Sequence, residues 1–154
     1  MKQHNGEHME MDLGGIMTKK TWKDVDNTIL KSLPSPDGHR PYELKMKQPE
    51  LTFMGVHEQP DFATLYVLMY PNSKIVELKS LKIYLQQYRD IIISYERLIN
   101  VIFHDMMSIY EPVRLRLVSH CNPRGGIMSR TTIDSDWEAL GGEEKYSSWG
   151  EDVW

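Results

Sequence analysis

The stretch FMGVHEQPDFATLYVLMYP, residues 53–71, decides how the chain is read. Its second half is a strand: Phe62, Thr64, Tyr66 and Leu68 fall on one face of an extended chain, and Pro71 ends it. Its first half is a polar loop turning at Gln59-Pro60, with His57, Glu58 and Asp61 packed around the turn. A histidine and two carboxylates at a strand entrance suggest the rim of an active site. The loop holds no serine, cysteine or lysine to act as nucleophile.

Upstream, ELKMKQPELTFMGV (43–56) reads as extended chain interrupted by Pro49. SLPSPDGHRPYE (32–43), with three prolines and a glycine, predicts loop. Downstream, KIVELKSLKIYLQQYRD (74–90) begins extended and becomes helical, with Leu78, Leu81, Leu85 and Tyr88 at helical spacing and Lys79, Lys82 and Arg89 mostly elsewhere around the helix. Ser94 is the expected N-cap of a second helix running to about Tyr110, with Leu98, Ile99, Ile102, Met106 and Ile109 as its apolar stripe. Pro112 closes it. VRLRLVSHC then predicts a half-buried strand with Val113, Leu115 and Leu117 on one face, and NPRGG predicts a turn. The order strand, strand, two helices, strand implies an α+β fold with a mainly antiparallel sheet.

The 154 residues amount to one domain. Residues 1–20 are polar and read as a flexible N-terminus, 21–133 as the folded domain, and 134–154 as an acidic tail holding Trp137, Trp149 and Trp154. A docking role for those aromatics is a hypothesis. A net charge of −4 and a pI near 5.8 argue against broad binding to nucleic acid or anionic membranes. No apolar run approaches a membrane span, and MKQHNGEHMEMDLGG lacks the apolar core of a signal peptide. The single cysteine, Cys121, makes neither an internal disulfide nor a cysteine zinc site. A cytoplasmic protein is the simplest expectation.

Each candidate residue has an ordinary explanation. Asp61 reads as a turn aspartate or as a general acid held at a strand end. His57 and Glu58, adjacent in extended chain, point to opposite faces and read as solvated. Glu96 complements the dipole of the second helix, or else accepts two N–H bonds from a guanine-like edge. Lys79 and Lys82, spaced i and i+3 at the start of the first helix, form a solvated basic face or, with free N–H groups, a phosphate site. Arg124 and the backbone of Gly125 and Gly126 are candidates to join that anion site.

Taken together, QPDFATLYV, VELKSLKIYLQQYR, the glutamate at a helix start and NPRGG resemble 7-cyano-7-deazaguanine reductase, the nitrile reductase family of queuosine biosynthesis. The resemblance spans roughly residues 13–126, and ELKSLK beside QPDFA and PRGG carries it. It implies a tunnelling fold: an antiparallel sheet backed by two helices, with several subunits closing into a barrel and active sites at subunit interfaces. It implies reduction of a nitrile to an aminomethyl group with NADPH, through a cysteine thioimide and an aspartate proton donor. Carried onto this chain, Asp61 matches the proton donor. Val76, Glu77 and Leu78 match the substrate-binding stretch, and Glu96 matches the reader of the deazaguanine edge. Leu78-Lys79 and Arg124-Gly125 match positions that hold NADPH.

The departures are local. The family loop reads Cys-Pro-x-Thr-Gly-Gln-Pro-Asp, whereas here Met54 occupies the cysteine position and Gly55, His57 and Glu58 replace Pro, Thr and Gly. Tyr95 replaces the histidine before Glu96 in the substrate-binding set. A thioether has no proton to lose and forms no stable thioimide. Cys121 lies on a different strand from the loop, and nothing in the sequence brings its sulfur there. His57 orienting a water would give nitrile hydration instead. The transfer-RNA amidine-forming branch also needs the cysteine, and a zinc cyclohydrolase of the same fold needs a ligand set that this chain lacks. The expectation is therefore a homo-oligomeric reductase-family protein that binds a 7-deazaguanine. The alternative is a non-catalytic member that binds the base or co-assembles with an active subunit.

Overall fold

The computed structural model describes residues 19–36, 40–136 and 138. The tail tryptophans and almost all of the N-terminal segment lie outside the described residues. In chain order the elements are β1 (Lys20–Thr21), β2 (Ser32–Pro34), β3 (Leu44–Met54), β4 (Pro60–Tyr70), β5 (Lys74–Val76), α1 (Leu78–Gln86), β6 (Ile91–Ile92), α2 (Tyr95–Tyr110), β7 (Arg114–Arg124) and β8 (Ile127–Asp134). Two 3-10 turns, Trp22–Asp24 and Asn27–Ile29, precede β2, and a third, Gln87–Asp90, extends α1. No described helix is long and apolar enough to cross a membrane.

Six strands form one sheet in the order β1-β6-β3-β4-β7-β8, and β2 pairs with β5 in a separate ribbon. The four long strands are antiparallel, while the short β6 joins β3 and β1 in parallel. The sheet is therefore mixed at one edge. Both helices pack on one face. There Leu51 and Phe53 of β3, Ala63, Leu65, Val67 and Met69 of β4, and Leu115 and Leu117 of β7 meet Leu81, Tyr84, Leu98, Ile99, Ile102 and Met106 in a single core. Ser94 caps α2 by accepting from the Arg97 N–H at 3.3 Å, and the cap residue Glu111 ends it in a left-handed conformation at φ 47°.

Several expectations are corrected. The residues read as the face of β4 lie on the side away from the core; Ala63, Leu65, Val67 and Met69 are the buried set. Both faces of β4 are apolar because the outer one is covered by long cationic side chains, Lys47 over Tyr66 at 5.3 Å and Arg114 over Tyr70 at 5.6 Å. Ser32–Pro34, expected as loop, is a strand with Pro34 opposite Lys74 at the end of a two-stranded ribbon, where a missing N–H is tolerated. Pro49 does not break β3. It sits in a register shift between Gln48 and Leu51, where an unpaired residue needs no donor. β7 continues through Asn122-Pro123-Arg124, so only Gly125-Gly126 turn, and β8 follows, a strand absent from the sequence reading. Val113 lies outside β7 and is exposed.

Candidate functional site

The loop between β3 and β4 is a tight hairpin. The Gly55 N–H donates to the Gln59 carbonyl and the Glu58 N–H to the Gly55 carbonyl, both at 2.7 Å. Glu58 takes a left-handed φ of 62° and pairs with Lys19. Gly55 suits this arrangement: a Cβ there would meet the Asp61 carboxylate and the Gln59 amide, side-chain ends that would have to shift. A proline at this place would also remove the N–H that closes the hairpin.

Asp61 is the first inward residue of β4, opposite Phe53 and 5% exposed. Its carboxylate is held by Arg124, which donates from Nε to Asp61 and from Nη2 to the Pro60 carbonyl at 3.0 Å. Burial, then the Asp61 charge, push the Tyr95 phenol above its ordinary value. The Tyr95 ring stands edge-on against Phe53, with centroids 5.6 Å apart. Glu96 follows in the first turn of α2, exposed, with its carbonyl accepting from Asn100 at 2.8 Å. Met54 ends β3, half-buried and paired with Pro60. Strand alternation turns its side chain to the face opposite that of Phe53 and Asp61.

Cys121, which the sequence reading set aside as lying on a different strand, joins this group. It lies opposite Ala63 in the β4–β7 register, so its side chain shares a face with Asp61 two residues away. The thiol bonds Ser119 at 3.6 Å. Burial raises it above the usual thiol range, with Asp61 and Glu96 near enough to act on it. That environment favours the neutral thiol over the nucleophilic thiolate. Only the register of β7 against β4 reveals the proximity, and spacing along the chain does not encode it.

The remaining candidates sit elsewhere. Asp61 begins β4, whereas Val76 and Glu77 follow its far end, and 11 strand residues span about 36 Å. Likewise, Tyr95 and Glu96 begin α2 while Tyr110, which feels Ser80 and Glu77, ends it. The 16 residues of that helix rise about 24 Å. At this second end Val76 is buried. Glu77 caps α1 by accepting from the Lys79 N–H at 3.1 Å and the Ser80 N–H at 2.8 Å, and the Ser80 bond, the largest cause, holds its carboxyl below the usual value. Leu78 is 64% exposed, and Lys79 is exposed beside it. Gly125 and Gly126, at φ 54° and 82°, have open space around them. Arg124, beside Gly125, is engaged with Asp61, while the Lys79 and Ser80 N–H groups at the start of α1 are taken by Glu77.

A family model described as QueF-like protein matches residues 60–139. The chain is 36% identical over 120 residues to the NADPH-dependent 7-cyano-7-deazaguanine reductase of Gloeothece citriformis (strain PCC 7424), covering 75% of this chain and 83% of that protein. The chain belongs to the QueF-like family. The reductase of Prochlorococcus marinus (strain MIT 9515) is 39% identical over 115 residues, covering 72% of this chain and 82% of the relative. Among solved structures, the apo archaeosine synthase QueF-Like superposes with a TM-score of 0.55 at 16% identity, covering 66% of this chain and 95% of that one. That likeness concerns fold alone, and it agrees with the tunnelling-fold architecture of a QueF-like subunit: one sheet with both helices on a single face.

Proposed function

We propose that this QueF-like chain binds 7-cyano-7-deazaguanine through Glu96, in a site that two copies complete, and that NADPH-dependent reduction of the nitrile to 7-aminomethyl-7-deazaguanine is the activity to assay there. The observation that carries the two-copy reading is the separation of the residues. Asp61, Tyr95, Glu96 and Arg124 gather at one end of α2, and Glu77, Leu78 and Lys79 at the other. One chain cannot bring these ends together, whereas the head of one copy against the tail of the next, in a homo-oligomer, can.

In this reading the Glu96 carboxylate accepts N–H bonds from the base edge while Tyr95, braced from behind by the buried Phe53, walls the pocket. Asp61 is the proton source, and Arg124 must leave it before it can donate. Lys79, Leu78 and Gly125 would hold NADPH, which supplies hydride when bound.

A second reading, base binding without turnover or co-assembly with an active subunit, is favoured by three observations. Met54 offers no thiol. The hairpin depends on Gly55 where the family pattern has proline. Asp61 is already engaged by Arg124.

The experiment is NADPH oxidation by the purified protein with 7-cyano-7-deazaguanine, alongside base binding and product mass. Aminomethyl product establishes reduction. Binding without product establishes the second reading. A folded protein that binds no base refutes base recognition in either reading and leaves only co-assembly with an active subunit.

A further inference from the structure

The outer face of the sheet, opposite the helices, is cationic in a chain whose net charge is −4. Strand register places Lys45, Lys47, Arg114, Arg116 and Arg130 on it. The described carboxylates that pair with them lie at one end: Asp134 accepts from Arg114 at 2.9 and 3.1 Å, and Glu43 stands 3.5 Å from Lys45. Toward the other end, beside the hairpins, Phe62 is 49% and Met128 59% exposed. Between the two ends the buried Nε of Arg130 has no partner among the described residues. A buried donor on a charged group is costly to leave unpaired.

The segment that follows β8 is the electrostatic complement of this face. Residues 135–154, SDWEALGGEEKYSSWGEDVW, hold six carboxylates against one lysine, Lys145, so the rest of the chain carries no net negative charge. The segment also starts on the face. Asp134 pairs with Arg114, Ser135 and Leu115 exchange two bonds at 2.9 Å, and the Asp136 N–H donates to Asp134 at 2.8 Å. Asp134 thus already makes the contact that the later carboxylates can repeat. Gly141-Gly142 can reverse the chain. Residues 143–154 then reach up to about 40 Å when extended, against about 27 Å for the eight residues of β8.

We propose that residues 143–154 fold back over the outer face of their own chain's sheet. Glu143 and Glu144, just past the reversal, meet Lys47 and Arg130, and Trp149 covers Phe62 and Met128. A basic face with aromatic side chains also suits single-stranded nucleic acid. The tail is favoured over that ligand because it is tethered at the edge of the face, where a short linker gives it a high effective concentration, and because its charge repels a phosphate backbone. The contact does not rest on the assignment of the base site.

The test is zero-length carbodiimide cross-linking of the 154-residue protein, read by peptide mass, with trypsin cleavage at Lys145 followed in parallel. Links from Lys47 to Glu143 or Glu144 are expected. Cleavage at Lys145 should be roughly tenfold or more slower than in a free peptide of residues 135–154, since cleavage tracks the undocked population. Lys47→Glu with Arg130→Glu should restore the peptide's rate. Should that variant fail to fold, Glu143→Gln with Glu144→Gln, outside the sheet, must restore it instead. Cleavage of the parent at the peptide's rate overturns the proposal, as does protection that survives these charge changes. Links that join the tail only to lysines off this face overturn it as well. So do links between labelled and unlabelled copies in protein reassembled from an isotopic mixture, since the tail would then cover a neighbour. Single-stranded RNA bound by the parent and lost in Lys47→Glu would give the face to nucleic acid and likewise overturn it.

Discussion

At residue 54 the chain carries a thioether, where the proposed reduction calls for a thiol, and at residue 55 the glycine whose N–H closes the hairpin over Asp61. Both positions are expected to matter, so that a thiol alone does not restore the chemistry. Met54→Cys alone is expected to bind 7-cyano-7-deazaguanine and form no covalent adduct. Met54→Cys combined with Gly55→Pro, His57→Thr and Glu58→Gly should form one, read as a mass increase of the intact protein that maps to the tryptic peptide carrying position 54. An adduct from the single change would show that the hairpin does not obstruct the chemistry. Glu96→Ala should weaken base binding by about 1.5–3 kcal/mol for each charged hydrogen bond removed, measured by calorimetry. Unchanged affinity would remove Glu96 from the site.

Among the elements, α2 sets the distance between the two halves of the proposed site, and its packing holds both ends in place. Ile102 is fully buried in the middle of its stripe. Ile102→Ala should cost about 2–5 kcal/mol in denaturant unfolding, the usual range for such a cavity. The start of α1 depends on Glu77. Because hydrogen bonds hold its folded-state pKa below the ordinary value, its contribution to stability is full above the unfolded carboxylate pKa and is lost as pH falls through the folded one. Glu77→Ala should therefore melt below the parent at neutral pH, with the gap closing in acid. A gap that stays constant with pH would mean that the cap acts without its charge.

For the whole molecule, complementation tests the two-copy site. Glu77→Ala and Glu96→Ala impair opposite ends of the chain. When the two variants are mixed and reassembled, a fraction of junctions has both intact ends, and tight base binding should return in that fraction. Calorimetry on the mixed oligomer against each variant alone decides it. No recovery from a mixture shown by mass to be hetero-oligomeric would place Glu77 and Glu96 in one chain's site.

Much of this was legible from local pattern. The 3.6-residue period and the Ser94 cap identified α2 almost to its ends, since helix signals are carried by neighbours within one turn. The motifs QPDFA, ELKSLK and NPRGG identified the family, because they are contiguous and specific. β4 was recognisable as a strand, yet its buried face was not, because aromatic residues outside and aliphatic ones inside give two apolar faces. β8 was missed because IMSRTTID alternates weakly and is a strand through its pairing with β7. The sequence by itself determined the helices and the family, both written in adjacent residues. Only the tertiary structure decided that Arg124 holds Asp61 across 63 positions of chain, that Cys121 joins them, and that Glu77 stands apart. Those relations follow from strand register and helix length, which long-range packing sets and no local pattern records.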